Sequence, residues 1–163
     1  MSLENERRHF SENETRKHIL EVQKLLSISI RELLRRSCGH DASKLEDIEK
    51  PYFDQYTPKL KETTYGSEEY KTCLVGLKPA LDHHYAVNKH HPESYPNGVK
   101  GMSLLDLLEM LCDWKAATAR HADGSILKSI ELNQKRFGYG DELKQILLNT
   151  LPYINVVQKS EEK

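Results

Sequence analysis

Histidines are the most conspicuous chemical groups of this 163-residue sequence, because four of the eight stand in two adjacent pairs, His83-His84 and His90-His91. Imidazole nitrogens are common ligands of transition metals, and such a density is hard to explain as surface composition. Residues seven apart on a regular helix are separated by about 10 Å along its axis. His84 and His91 can therefore bind one ion only if the helix bends or ends near Asn88. The alternatives are two ions, or exposed histidines that flank a helix end.

The dipeptide His40-Asp41 is a second candidate, because it directly follows Gly39, where we expect a helix to end. At a turn both side chains can reach one ion, whereas neighbours on a regular helix point about 100° apart. Nitrogen and carboxylate ligands together suit Zn, Mn, Fe or Co rather than Ca, which prefers oxygen alone. The alternative is an N-capping Asp41 beside an ordinary histidine.

Three carboxylates, Asp106, Glu109 and Asp113, share one stripe of a predicted helix through their spacing of three and four residues. Such a stripe is usually solvated, but Asp113 stands between Cys112 and Trp114 in an otherwise apolar segment. We therefore expect Asp113 to face a cavity as a metal ligand. Glu109 is a candidate partner of the ligands, and Asp106 is expected to cap the helix.

His18 and Lys44 complete the candidate residues. His18 shares a predicted helix face with Val22 and Leu25, where a lone histidine is more often part of a core than a ligand. A third nitrogen donor beside His40-Asp41 would nevertheless leave open positions for water and substrate. Lys44 follows Asp41 by one turn and could present its ammonium group to a phosphate oxygen, unless it is an ordinary solvated lysine.

Apolar spacing predicts an all-α fold of about six or seven helices that positions these residues. Ser11 with Glu14, and Ser103 with Asp106, form capping-box patterns, and Ser67 and Ser125 can also cap helices. The predicted helices span about 11–36, a short stretch before Pro51, 52–61, 67–88, 103–121, 125–137 and 141–151, with a Pro- and Gly-rich loop at 91–101. Gly76 and Pro79 could kink the second long helix, which Ser67 caps.

Length and composition predict one domain over residues 1–163, with a core of about 11–152 and frayed ends at 1–10 and 158–163. A formal net charge of −1 argues against general nucleic-acid binding. The sequence shows neither a long apolar run nor a signal peptide, so we expect a cytoplasmic protein without membrane contact. The three cysteines lack CxxC spacing, which disfavours a thiolate zinc site. The apolar last helix could pair two copies into a homodimer.

The order of His18, His40-Asp41, the paired histidines and Asp113 resembles the H…HD…H…H…D layout of the HD superfamily of metal-dependent phosphohydrolases, which are all-helical. Residues 40–44 are similar to the HDxxK motif of its HD-GYP branch, and residues 90–101 to the HHE…GYPxGLxG segment of that branch. Residues 40–43 also resemble the HDAS motif of HD-type 5′-nucleotidases. The whole pattern is most similar to a small bacterial and phage branch, and it covers about residues 15–121.

This resemblance implies one or two divalent ions, of Mn, Fe, Co, Ni, Zn or Mg. The implied ligands are His18, His40, Asp41 and Asp113 for the first ion, and Asp41 with some of His83, His84, His90 and His91 for the second. It further implies a phosphohydrolase that acts on a nucleotide or another small phosphate ester, with Asp41 and Lys44 as catalytic residues. Cyclic dinucleotides are not expected as substrates, because the DGxG that precedes Tyr-Pro in HD-GYP proteins is missing. The alternatives are an HD-type di-iron oxygenase and a non-catalytic metal-binding helical protein.

Overall fold

A computed structural model describes residues 3–63, 67–119 and 124–155, and within these ranges the chain forms helices and no strands. The helices are α1 (Leu3–Gly39), α2 (Lys50–Glu62), α3 (Glu68–Val87), α4 (Leu104–Thr118), α5 (Ile126–Phe137) and α6 (Asp141–Ile154). Three short 3-10 helices connect them at Ala42–Leu45, Pro92–Ser94 and Gly98–Gly101. The prediction of an all-α fold is confirmed. Across these ranges, no helix combines the length and the apolar character that a membrane crossing requires.

The chain divides into two compact units, residues 1–39 and residues 40–163, so the expectation of one domain stays a prediction. The first unit is helix α1, which begins at Leu3 rather than at the expected Ser11 cap. Ser11 lies inside the helix, where its carbonyl accepts a hydrogen bond from Thr15 Oγ1 (2.9 Å). Residues 3–10 contain neither glycine nor proline, so nothing in the sequence stops the helix there. The large apolar side chains of α1 that are exposed are Phe10, Ile19, Leu20, Val22, Leu25, Leu26, Ile28, Ile30 and Leu34.

In the second unit, α2 packs against α3. A Cβ atom on Gly76 would lie 2.2 Å from Cζ of the Tyr56 ring, so a side chain at position 76 would collide with that ring. Helix α3 is continuous through both Gly76 and Pro79. The glycine therefore leaves room for the Tyr56 ring, and the kink that the sequence allowed at Gly76 and Pro79 does not interrupt the helix.

Helices α4, α5 and α6 form the main hydrophobic core of the second unit. The buried residues that form it are Val99, Leu111, Ile130, Tyr139 and Leu147. The Tyr139 hydroxyl donates a hydrogen bond to the Ile130 carbonyl (2.7 Å), which satisfies the polar end of that ring. Trp114 and Phe137 stack at the edge of this core with ring centroids 6.2 Å apart.

The predicted helix caps of the second unit are largely confirmed. Ser67 and Ser125 accept hydrogen bonds from the first turns of α3 and α5, and Ser103 forms the full capping box with Asp106. Helix α4 ends at Thr118, before the expected end near His121, and residues 120–123 lie outside the described part of the chain. The tail at 158–163 also lies outside it.

Candidate metal centre

Four segments of the second unit bring imidazoles and carboxylates together. His40 and Asp41 lie in the turn before the first 3-10 helix, and Asp113 lies on α4. The remaining donors come from the last turn of α3, which carries His84, and from the turn after it, which carries His90 and His91. Loop residues whose backbone is anchored by helices on both sides are a common source of metal ligands.

Three overlapping sets of donor atoms could each hold a metal ion, and within each set the donor atoms lie within 4.8 Å of one another. The sets are Asp41 with His84, His90 and His91; His40 with His90 and Glu109; and His40 with Asp41 and Asp113. The candidate residues from four separate segments therefore converge. Metals of the borderline class, from Mn to Zn, are the ions that such nitrogen and carboxylate donors suit.

Asp41 links two of these sets through its two carboxylate oxygens. Its Oδ1 lies 3.2 Å from His84 Nε2 and 3.4 Å from His90 Nε2. Its Oδ2 lies 2.5 Å from Lys44 Nζ and 3.7 Å from His40 Nε2. The Asp41 carboxylate therefore has His84 and His90 beside one oxygen, and Lys44 and His40 beside the other.

The backbone at Asp41 is left-handed, with φ 56° and ψ 12°, and it is the one non-glycine residue with positive φ in the described ranges. Aspartate tolerates this conformation better than most residues, but it still costs roughly 1–2 kcal/mol. The tight turn aims the Asp41 side chain back toward α3, so the strain coincides with the centre of the cluster.

The end of α3 decides how the paired histidines are arranged. The helix ends at Val87, and the backbone N–H of Asn88 closes its last turn on the His84 carbonyl (3.0 Å). The following turn returns His91 to the helix, so that His84 Nε2 and His91 Nε2 lie 3.0 Å apart. From the sequence, His84 and His91 could bind one ion only if the helix bent or ended near Asn88. Helix α3 does end there.

Two buried polar atoms of the cluster support the fit of a cation. Asp41 Oδ1 and His90 Nε2 have no hydrogen-bond partner among the described residues, although both are shielded from solvent. Their close neighbours stand at ion-pair distance without hydrogen-bond alignment. Buried polar atoms normally find partners, and a metal ion bound by both atoms would supply one.

The environment of the cluster favours the metal-binding protonation states of Asp41 and His91. Burial alone would raise the pKa of Asp41, but the hydrogen bond and the charge of the Lys44 ammonium help to outweigh it, and the pKa lies well below its usual range. Burial and the neighbouring imidazoles lower the pKa of His91 to about 3. At neutral pH, Asp41 is therefore ionised and His91 is neutral, which are the forms that bind metals.

His40 faces the carboxylates of α4. Contact with Asp113 raises the pKa of His40 to about 9, assisted by Glu109 and opposed by burial. Glu109 Oε1 lies 3.0 Å from His40 Nδ1 and 3.4 Å from His90 Nδ1. Glu109 therefore contacts two of the histidines, in the partner role that its position in the stripe suggested, and Asp106 serves the helix cap as expected.

Two of the predicted ligands belong to none of these donor sets. His83 Nδ1 contacts Glu49 Oε1 (2.7 Å), and its ring belongs to none of the three sets. His18 lies on α1, in the first unit, where its side chain is exposed, and it also belongs to none of them. The assignment of both residues as ligands stays a prediction.

Glu49 is a participant that sequence reasoning missed. Its carboxylate is fully buried and contacts both His83 and His84. No pattern in the sequence distinguishes Glu49 from the nearby acidic residues Glu46 and Asp47, because only the packing of α2 on α3 buries one of the three.

Comparison with known proteins places the chain in a family without assigning an activity. No curated protein and no solved structure matches this sequence. Residues 7–156 match a family described as a family of unknown function, DUF5662. Because this match covers most of the chain and includes every residue of the three donor sets, the protein belongs to the DUF5662 family.

Proposed function

We propose that this protein is a metal-dependent hydrolase of a phosphate ester, with a nucleotide or another small phosphomonoester as substrate. The observation that carries the proposal is the position of Asp41. One of its oxygens faces His84 and His90, and the other faces Lys44 and, at a longer distance, His40. A carboxylate placed in this way can join two donor sets around one or two cations.

The donor sets favour a transition metal over calcium. Three imidazoles accompany Asp41 in the largest set, and hard cations such as Ca²⁺ prefer oxygen ligands alone. Mn, Fe, Co, Ni and Zn accept this mixture of nitrogen and oxygen, and Mg is the weaker candidate. When bound, such an ion would supply a strong electrophile and make hydroxide available near neutral pH.

Lys44 and Tyr85 are suited to bind the substrate beside the centre. The Lys44 ammonium is partly exposed and contacts Asp41 Oδ2, so it can also reach an oxygen of a phosphate at the same place. The Tyr85 ring lies 4.9 Å from the His91 ring, which adds an aromatic surface to the edge of the cluster. A cation and an aromatic ring that both border the cluster favour a phosphorylated substrate that carries a planar base.

The resemblance to the HD superfamily supports the same conclusion. The contacts between His40, Asp41 and Asp113 correspond to the residues that carried the resemblance in the sequence. The oxygenase and the non-catalytic alternatives use a similar donor set, so they differ from the hydrolase in what happens after the metal binds.

Metal analysis of protein purified without chelator, followed by a phosphatase screen with Mn²⁺, Co²⁺ and Mg²⁺, tests the proposal. We expect bound metal and release of inorganic phosphate in the wild type, and loss of both in Asp41→Asn. The exposed Asp47→Asn variant, six residues away, is the matched control and should behave as the wild type.

Three other results would overturn the hydrolase. The first is a metal-free wild-type protein after incubation with each ion. The second is metal binding without turnover of any ester in the panel, which indicates a non-catalytic protein. The third is iron-dependent oxygen consumption with an EPR signal, which indicates the di-iron oxygenase.

A further inference from the structure

Glu49 occupies an unusual position for an acidic residue. It precedes α2 as the N-cap residue, yet its side chain forms no capping hydrogen bond. The side chain instead points into the second unit, where the residue has 0% exposure. Burial of a carboxylate is costly, and Glu49 does not cap its helix in return. Such buried ionisable groups are often found at functional sites.

The two oxygens of Glu49 are divided between two histidines of α3. Oε1 lies 2.7 Å from His83 Nδ1, and Oε2 lies 3.0 Å from His84 Nδ1. A carboxylate can only accept hydrogen bonds, so both Nδ1 atoms donate to it. A neutral imidazole with its proton on Nδ1 carries its lone pair on Nε2.

The Nε2 atom of His84 is the one that faces the metal centre. It lies 3.2 Å from Asp41 Oδ1 and 3.0 Å from His91 Nε2. With the proton held on Nδ1, a lone pair of His84 faces a carboxylate oxygen and another imidazole nitrogen. The lone pair and the Asp41 oxygen repel each other unless a cation lies between them, whereas His91 Nε2 can hydrogen-bond to that lone pair only when it carries the His91 proton.

We infer that Glu49 is a positioning residue of the metal centre, which holds His84 in the tautomer and orientation that make Nε2 a ligand. His83 anchors the other carboxylate oxygen, so its task is to fix Glu49 and it does not itself bind the ion. This inference rests on the proposed function. It adds Glu49, which belongs to none of the three donor sets, to the residues that form the site.

The backbone around Glu49 explains how it can hold a defined position. Its carbonyl accepts hydrogen bonds from Tyr52 N (3.1 Å) and Phe53 N (3.2 Å), and its own N–H donates to the Glu46 carbonyl (3.1 Å). Pro51 lies in the first turn of α2, where its restricted φ favours the start of a helix. The residue is thus fixed by the beginning of a helix that packs on α3.

The neighbours of His84 Nδ1 are consistent with this proton assignment. Asn88 Nδ2 lies near that atom, but it also donates to Ser43 Oγ (2.9 Å) and to the His84 carbonyl (2.9 Å). These two acceptors use both of its hydrogens. Ser43 Oγ also lies 3.1 Å from His84 Nδ1, but a hydroxyl can donate or accept, whereas the Glu49 carboxylate at 3.0 Å only accepts, so Glu49 fixes the proton on Nδ1.

Glu49→Gln separates positioning from simple packing, because the two side chains have the same shape. The amide offers one acceptor and one donor, so one of the two imidazoles must accept at Nδ1 and carry its proton on Nε2. We expect roughly 10–100-fold weaker binding of Co²⁺ or Zn²⁺, the range typical for loss of a ligand's hydrogen-bond partner. The Co²⁺ absorption spectrum should change, while the circular dichroism spectrum should stay that of the wild type.

The exposed Glu46→Gln variant, three residues earlier, is the matched control and should bind both ions as the wild type does. Imidazole ¹⁵N NMR of the metal-free wild type gives a readout that needs neither a variant nor a metal. We expect His84 to carry its proton on Nδ1. A proton on Nε2 of His84 overturns the inference even if Glu49→Gln fails to fold.

The remaining outcomes separate this inference from the proposed function. Wild-type metal affinity and unchanged tautomers in Glu49→Gln would overturn the positioning role and leave the hydrolase intact. A wild type that binds no ion, but holds His84 with its proton on Nδ1, would overturn the hydrolase and the ligand role of His84, and would support only the control of the His84 tautomer by Glu49.

Discussion

The Nε2 atoms of His84 and His91 lie 3.0 Å apart, although seven residues separate them along the chain. Both rings belong to the donor set that contains Asp41 and His90. A continued helix would have separated them by about 10 Å along its axis. The termination of α3 at Val87 is therefore what creates this part of the candidate centre.

The left-handed backbone of Asp41 predicts a difference between two variants that both remove the carboxylate. Asp41→Gly should be more stable than Asp41→Ala by about 1 kcal/mol, because glycine adopts positive φ without the Cβ penalty. Urea denaturation of the two metal-free variants measures the difference. Equal stabilities would show that the turn relaxes when the side chain is lost.

The contact between Gly76 and Tyr56 predicts a reversal of the usual effect of alanine in a helix. Gly76→Ala should destabilise the protein by about 1–3 kcal/mol, because the added methyl group overpacks against the Tyr56 ring. In a Tyr56→Leu background the same change should be neutral or stabilising, since alanine is the better helix former. Thermal or urea denaturation of the four proteins gives the coupling between the two sites. Additive effects would contradict the contact.

The lowered pKa of Glu32, a residue of α1, predicts that the stability of the protein depends on pH. Hydrogen bonds from Arg35 and Arg36 lower the pKa of Glu32 from 4.5 to about 2. A depressed pKa in the folded state means that the stabilisation is present above pH 4.5 and is lost as the pH falls toward about 2. The stability difference between wild type and Glu32→Gln should follow that profile in denaturation experiments.

Glu21→Gln is the control for this titration, since Glu21 pairs with Lys24 alone through one ion pair at 3.2 Å in the described helix. We expect its stability difference from the wild type to vary less with pH. A profile for Glu32→Gln that matches the control would show that the two arginines do not lower the pKa of Glu32.

The position of Lys44 predicts that its removal weakens substrate binding. Lys44→Met should raise KM for a phosphate ester by about 10-fold or more, because a charge-assisted hydrogen bond to the phosphate is lost. Steady-state kinetics with the best substrate of the phosphatase screen measures the change. Lys78→Met, which removes an exposed lysine paired with Asp82, is the control and should leave KM unaltered. An unchanged KM in Lys44→Met would exclude Lys44 from substrate binding and restrict it to its contacts with Asp41 and the Phe53 ring.

The sequence by itself determined the helical class and most helix boundaries of the second unit. Ser67, Ser103 and Ser125 could be recognised because capping depends on a few neighbouring residues. The same local logic failed at Ser11, because a capping pattern does not stop a helix when the residues before it also favour one. His40, Asp41 and Asp113 were recognisable as candidate metal ligands from their chemistry and order, and the structure brings the three into one donor set.

Tertiary structure alone decided which of these groups meet. His83 and His84 are neighbours in sequence, yet only His84 joins a donor set, because adjacent residues on a helix point in different directions. Glu49 gained its position from the packing of α2 on α3, a contact between segments that no local pattern encodes. Side-chain chemistry is a property of single residues, whereas burial and convergence depend on the path of the whole chain.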